Sequence, residues 1–169
     1  MIRFLIILSV FLINSEAKNF IPIQTPQSKV KYGELDRGMK SAASGMKLNK
    51  QILRIIAENI SHMDTYAHEP GGEAYREKIP IVKTEIDPLT GVVRAVLSKI
   101  KDDQRDLHKV YMPHHPGADE TGFVQKSNVE FVPQKVLRSA TMAALNANMS
   151  SFQNMHLMRK REIELINGK

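Results

Sequence analysis

The sequence predicts a mainly α chain of the α+β class: two long helices near the ends, with a small β-rich insert between them. Three observations predict it. Apolar residues recur at alternating steps of four and three over residues 35–60. A second helical stretch, rich in small residues and methionine, covers residues 127–167. Between them, two short β-rich runs flank the turn sequence Asp87-Pro88-Leu89-Thr90-Gly91.

Taken in order, residues 1–17 open with one positive charge at Arg3 and an apolar run broken by Ser9, then end on small residues before Ala17. That is the pattern of a secretory signal cut after Ala17. A retained anchor or buried helix, and a start codon further downstream, are the other readings, because the run is shorter than the ~20 residues of a membrane span. Residues 18–34 hold Pro22 and Pro26 among Gln, Ser and Lys with little periodicity, and read as a linker.

Residues 35–64 read as the first helix. Its stripe is Leu35, Met39, Ala42, Met46, Asn49, Leu53, Ile56 and Ile60, apolar except at Asn49. Gly38 and Gly45 weaken an isolated helix by roughly 1 kcal/mol each. Together with Ala42 and Ala43 they also allow a neighbouring helix to come close. A helix of this length runs about 40 Å, and its stripe requires a partner helix.

Residues 65–126 read as the insert. Glu69-Pro70-Gly71-Gly72 marks a turn. Residues 78–85 and 92–100 form the expected hairpin, residues 107–111 a third short strand, and residues 112–117 an irregular loop stiffened by Pro113 and Pro116. The last helix is expected over residues 127–167. Ser127 and Glu130 have capping-box spacing, while Pro133 alternatively marks the first helical turn. Val136, Ala140, Ala143 and Ala147 form a stripe of mostly small residues; Met149 and Phe152 continue it after a change of register near Ala147. These two stripes are the expected helix seam, between the helices and toward neighbouring subunits.

Composition narrows the function classes. The formal net charge is +6, from 24 basic and 18 acidic residues, but the two signs are mixed along the chain and form no nucleic-acid-binding cluster. Tryptophan is absent and aromatics make up 6%, so the chain favours lengthwise helix packing over a dense enzyme-like core. No cysteine is present, which excludes disulfides, thiolate metal sites and cysteine nucleophiles. His114, His115 and Asp119 lack metal-ligand spacing, since adjacent histidines do not aim easily at one ion. His62, His68 and Glu69 are scattered. The acids Asp102, Asp103 and Asp106 have no evident apolar pocket to raise a pKa. Gly71-Gly72 lacks a phosphate-loop pattern, and Ser41, Ser44 and Thr65 have no neighbouring base. No catalytic residue, cofactor or metal ligand is expected.

The segment Ser41-Ala42-Ala43-Ser44-Gly45-Met46, followed by Ala57-Glu58-Asn59-Ile60-Ser61 and Thr65, resembles the N-terminal signature of the flagellar rod and hook protein family. Three further runs resemble its proximal rod members. They are Pro70-Gly71-Gly72-Glu73-Ala74-Tyr75-Arg76-Glu77-Lys78, then the loop from Tyr111-Met112-Pro113-His114-His115-Pro116-Gly117 to Gly122-Phe123-Val124, then Ser127-Asn128-Val129-Glu130 with Asn148 further on. This chain carries Ser61-His62-Met63-Asp64-Thr65 where the family exit has Ala-Asn-x-x-Thr, and Thr141-Met142-Ala143 where the last helix has Arg-x-Tyr.

The resemblance covers about residues 35–160. It implies a structural subunit of the basal-body rod, located in the periplasmic part of the flagellum. Its terminal helices would assemble helically with copies of itself and with other rod and basal-body proteins, and the rod would transmit motor torque. It implies no nucleic acid and no small-molecule substrate. Family members leave the cell through the flagellum's own export apparatus, so the signal-like residues 1–17 depart from the pattern. A periplasmic or membrane-tethered helical adaptor is the alternative reading.

Overall fold

A computed structural model describes residues 32–168. The expected signal segment and most of the expected linker lie outside the described residues. The order of elements is α1 (Tyr32–Ser61), β1 (Lys78–Ile86), β2 (Val93–Asp102), β3 (His108–Tyr111), β4 (Phe123–Lys126) and α2 (Phe131–Ile166). Two long helices with a β insert between them are therefore the architecture. The insert is not one sheet: β1 pairs with β2 and β3 with β4, both antiparallel, as two separate ribbons. Strand β4 falls in a stretch where no strand was expected. Among the described residues no helix is long and apolar enough to cross a membrane.

The helices pack antiparallel in a single register. Gln134 near the start of α2 meets Asn59 near the end of α1, Asn148 meets Gly45, and Met155 meets Gly38. Arg159 reaches Asp36 at 3.6 Å. The two glycines set the spacing: a Cβ at Gly45 would stand 2.5 Å from Asn148 Nδ2, and one at Gly38 2.5 Å from Met155 Sδ. The close approach expected of these small residues is thus made by the chain's own second helix.

Helix α1 is covered along a wide arc. Met39, Ala42, Asn49 and Ile56 of the expected stripe are buried, and Leu35, Met46, Leu53 and Ile60 are half-buried. Leu48, Ile55 and Asn59 are buried as well, because a second element lies beside α1. That element is the β1–β2 ribbon, which runs back along the helix with Ala95 N–H donating to Ser44 Oγ at 3.3 Å. Lys78 sits beside Asn59 at one end of the ribbon, and Gly91 beside Arg37 at the other. A heptad stripe describes contact with one neighbour; two neighbours widen the buried arc.

The expected stripe on α2 does not turn toward α1. Val136, Ala140, Ala143, Ala147 and Met149 are exposed, Val136 at 64%. The face turned to α1 carries Gln134, Thr141, Leu145, Asn148, Phe152 and Met155, at alternating steps of seven, four, three, four and three. This face keeps one register throughout. The apparent shift near Ala147 arose from following an outward stripe in the first half of the helix and inward residues such as Phe152 in the second. Apolar pattern misled here because the inward positions Gln134, Thr141 and Asn148 are polar. Gln134 bonds to Asn59, and Thr141 Oγ donates to the Leu137 carbonyl at 2.7 Å, so their burial leaves no bond unmade.

The helix start also differs from the capping-box expectation. Glu130 occupies the N-cap with extended backbone and makes no side-chain cap bond. Ser127 is buried and its Oγ accepts instead from Val129 N–H at 3.2 Å. Pro133 falls in the first turn, where its missing N–H costs little.

Candidate functional site

At the end of the helix pair where α1 stops and α2 starts, several of the motif residues converge on one polar knot. Asn59 is its centre, 1% exposed. Its Nδ2 donates to the Lys78 carbonyl at 3.0 Å and to Gln134 Oε1 at 3.3 Å. Its Oδ1 accepts from Tyr75 O–H and from Lys78 N–H, both at 2.9 Å. A side-chain amide offers two donors and two acceptor lone pairs, and all are used. One side chain thereby ties α1 to the first residue of β1, to the loop before it and to α2.

A second layer surrounds this centre. Gln134 Nε2 donates to Glu77 Oε1 at 2.8 Å, and Glu77 N–H donates to Asn128 Oδ1 at 2.8 Å. Asn128 Nδ2 in turn donates to the Arg105 carbonyl at 3.4 Å. The Arg105 guanidinium then gathers three carboxylates: Asp103 at 2.5 Å, Glu77 at 2.8 Å and Glu130 at 3.0 Å. Arg76 clamps the same turn from its other side by donating to the carbonyls of Asp103 and Arg105. The ring of His62 stacks on Tyr75 with centroids 4.4 Å apart, and His62 Nδ1 lies 3.2 Å from Thr65 Oγ1. Lys78 Nζ closes onto the Glu58 carboxylate.

The charges respond to this packing. Burial, reinforced by the fields of Glu58, Asp102 and Glu77, pushes the Tyr75 phenol up to about 12. Burial likewise raises the Glu77 carboxyl, against the opposing pull of Arg105. The Arg105 backbone N–H and side chain hold Asp103 below the usual carboxylate range, and the Lys78 bond does the same for Glu58. These groups bind one another, and the result is a tightly bonded joint.

The β3–β4 loop is built separately on the same side. Asp119 Oδ1 accepts from Thr121 N–H, Thr121 Oγ–H and Phe123 N–H, which lowers its carboxyl pKa. Tyr111 and Phe123 meet edge to face at 5.3 Å. Gly122 has φ +83°, and a Cβ there would stand 2.8 Å from the Tyr111 ring. Buried Gly117 passes so close to segment 65–67 that an added Cβ would lie 2.0 Å from the Ala67 carbonyl oxygen. His115 Nδ1 accepts from Gly117 N–H at 3.0 Å, and the ring leans on Tyr66. The segment itself pairs with β4, Ala67 N–H to Gln125 O and Ser127 N–H to Thr65 O.

Thus Asn59, Thr65, Tyr75, Asn128 and buried Val129 belong to the knot or its border, and Pro113, His115, Pro116 and Gly122 to the loop, with both prolines exposed. Ser44, Gly45, half-buried Met46 and Asn148 lie mid-helix, at the contacts of α1 with β2 and α2. Gln134, Arg105 and Asp103 were not anticipated. Nothing local marks Arg105 as a hub, whereas a glutamine in the first turn after a buried Asn-Val pair offered a faint signal. Among the described residues no group of three acidic or histidine side chains is arranged to hold a metal.

No family model matches the chain. It is 32% identical over 126 residues to the flagellar basal-body rod protein FlgC of Agrobacterium fabrum, a match covering 75% of this chain and 86% of the relative. It is 24% identical to the protein of that name from Bacillus subtilis, over 73% of this chain and 93% of the relative. The Salmonella typhimurium protein is 23% identical over 73% and 92%. On the strength of the first match, and of motif residues gathered in one knot, one loop and the mid-helix contacts, this chain belongs to the flagellar basal-body rod protein FlgC family.

Proposed function

We propose that this chain is a structural subunit of the proximal flagellar rod, assembling through its terminal helices with copies of itself and with other basal-body proteins, and passing motor torque without catalysis. The observation that carries the assembly mode is the outward face of α2. Ala140, Ala143 and Ala147 make it narrow, and Val136, Met158 and Leu165 leave apolar surface in water along the same line, at 64%, 58% and 80% exposure. Apolar side chains repeated along one helix face in this way suit burial against further helices. Contacts that do not close on themselves build a helical filament. Of the expected seam residues of α2, Val136, Ala140, Ala143 and Ala147 thereby face other subunits, while Phe152 and the polar inward residues serve the chain's own pair.

Ala143→Asp tests this. The position is exposed, so the soluble protein keeps its helix content and urea midpoint, while incorporation into isolated basal bodies and swimming motility are lost. Normal motility in that variant overturns the assignment of the face. Ile56, at 1% exposure, is unsuited to the same test because a charge there unfolds the chain itself.

A further inference from the structure

Helix α1 carries a second surface that the rod reading leaves unused. Between Arg37 and Arg54 its sequence holds five basic residues and no acid, and Arg37, Lys40, Lys47, Lys50 and Arg54 all lie on its exposed stripe. The first two are engaged within the chain, Arg37 with Glu34 at 3.9 Å and Lys40 with Asp36 at 2.8 Å. Lys47, Lys50 and Arg54 make no ion pair among the described residues. Arg54 acts on Glu58 only through space, and Glu58 is already bound by Lys78. The result is a straight basic ridge about 25 Å long.

We propose that this ridge docks an acidic helix of a different basal-body protein. The proposal rests on the rod reading. The shape of the ridge and its neighbours choose the partner. Positions 47, 50 and 54 are spaced as one line on a helix, and a helix with carboxylates at the same spacing meets them side by side. Only small residues, Ala43 and Ala57, interleave the cations. No large apolar side chain is there to enter a bilayer, and no aromatic ring to stack on a nucleic-acid base. A second copy does not supply the complement. Of the acids on its described helices, Glu34, Asp36, Glu58 and Glu164 are paired within the chain, and Glu162 is half-buried on the inward face of α2.

Carbodiimide treatment of isolated basal bodies, which joins a lysine amine to a carboxylate in contact with it, tests the proposal. Peptide mass spectrometry should find Lys47 or Lys50 linked to Asp or Glu of another protein. The triple variant Lys47→Glu, Lys50→Glu, Arg54→Glu should enter basal bodies about tenfold less, the effect that three partly exposed pairs supply together. Its circular dichroism and urea midpoint should match wild type. Unchanged incorporation, or wild-type basal bodies whose only cross-links avoid both lysines, overturns the docking and leaves the rod reading intact. Absence of the wild-type chain from basal bodies overturns both. Co-sedimentation with phosphatidylglycerol vesicles that the triple variant loses assigns the ridge to lipid and overturns the protein partner.

Discussion

Replacing Asn59 by Ala removes four hydrogen bonds at once. The loss is not four times the worth of one bond, because the partners differ in what else they can reach. Tyr75 is half-buried and its hydroxyl can turn to water. Gln134 keeps Glu77 as a partner through its amide nitrogen. Lys78 is the exposed weakness: its N–H has Asn59 as acceptor and its carbonyl has Asn59 as donor, both in the packed joint. A buried backbone group left unpaired costs about 1–3 kcal/mol, so two of them give a total of about 2–6 kcal/mol, to which the small void adds. Tyr75→Phe, which leaves Asn59 Oδ1 still accepting from Lys78, should cost only about 1 kcal/mol. Equilibrium urea unfolding followed by circular dichroism measures both. Equal losses in the two variants, or an Asn59→Ala loss under about 1 kcal/mol, would refute the claim that Asn59 organises the joint.

Three further outcomes follow from the same geometry. Gly117→Ala should destabilise by more than about 2 kcal/mol because backbone blocks the new methyl, whereas Gly38→Ala meets only the flexible Met155 and should be neutral or better; thermal melts compare the two. In alkali, the Tyr75 phenol is held neutral by the fold, so its stabilisation is complete below about pH 10 and disappears as pH rises toward about 12. Tyr75→Phe should flatten that limb of a pH–stability curve, and tyrosinate absorbance should show one late-titrating phenol. In acid, Asp103 and Glu58 have lowered values, so their contribution stands above the ordinary carboxylate range and is lost as pH falls through it. Asp103→Asn should weaken the acid limb measured by urea midpoint, and an unchanged limb would count against the Arg105 cluster.

The fold class was legible because long-period and short-period apolar patterns alternate cleanly along this chain. The stripe through Met39, Ala42 and Ile56 gave α1 its inward side, and Asp87-Pro88-Leu89-Thr90-Gly91 marked the hairpin turn. Three things escaped. Strand β4 is only Phe123–Lys126 and alternates over too few residues to stand out. The inward side of α2 is polar at Gln134, Thr141 and Asn148, so a hydrophobic stripe was the wrong guide, and it selected the outward alanines instead. The polar knot joins residues as far apart as Asn59 and Gln134, or Glu77 and Arg105. Such pairings are decided by the path of the chain in three dimensions, and local spacing carries no record of them.

The position of Asn59 has a mechanical consequence. A shaft component must deliver twist from one element to the next without lag. The four bonds of Asn59 cross a single section of the molecule and reach three separate segments, so a rotation of α1 loads all of them in parallel. Parallel springs add their stiffness, and none has to stretch far before its neighbours share the force. The other end of the helix pair, near Gly38 and Met155, is joined by the contact of those two residues and by the Arg159–Asp36 ion pair, with no comparable network of buried bonds among the described residues, and yields more readily. The helix pair is therefore graded along its length, stiff where the insert is rooted and more compliant at the opposite end.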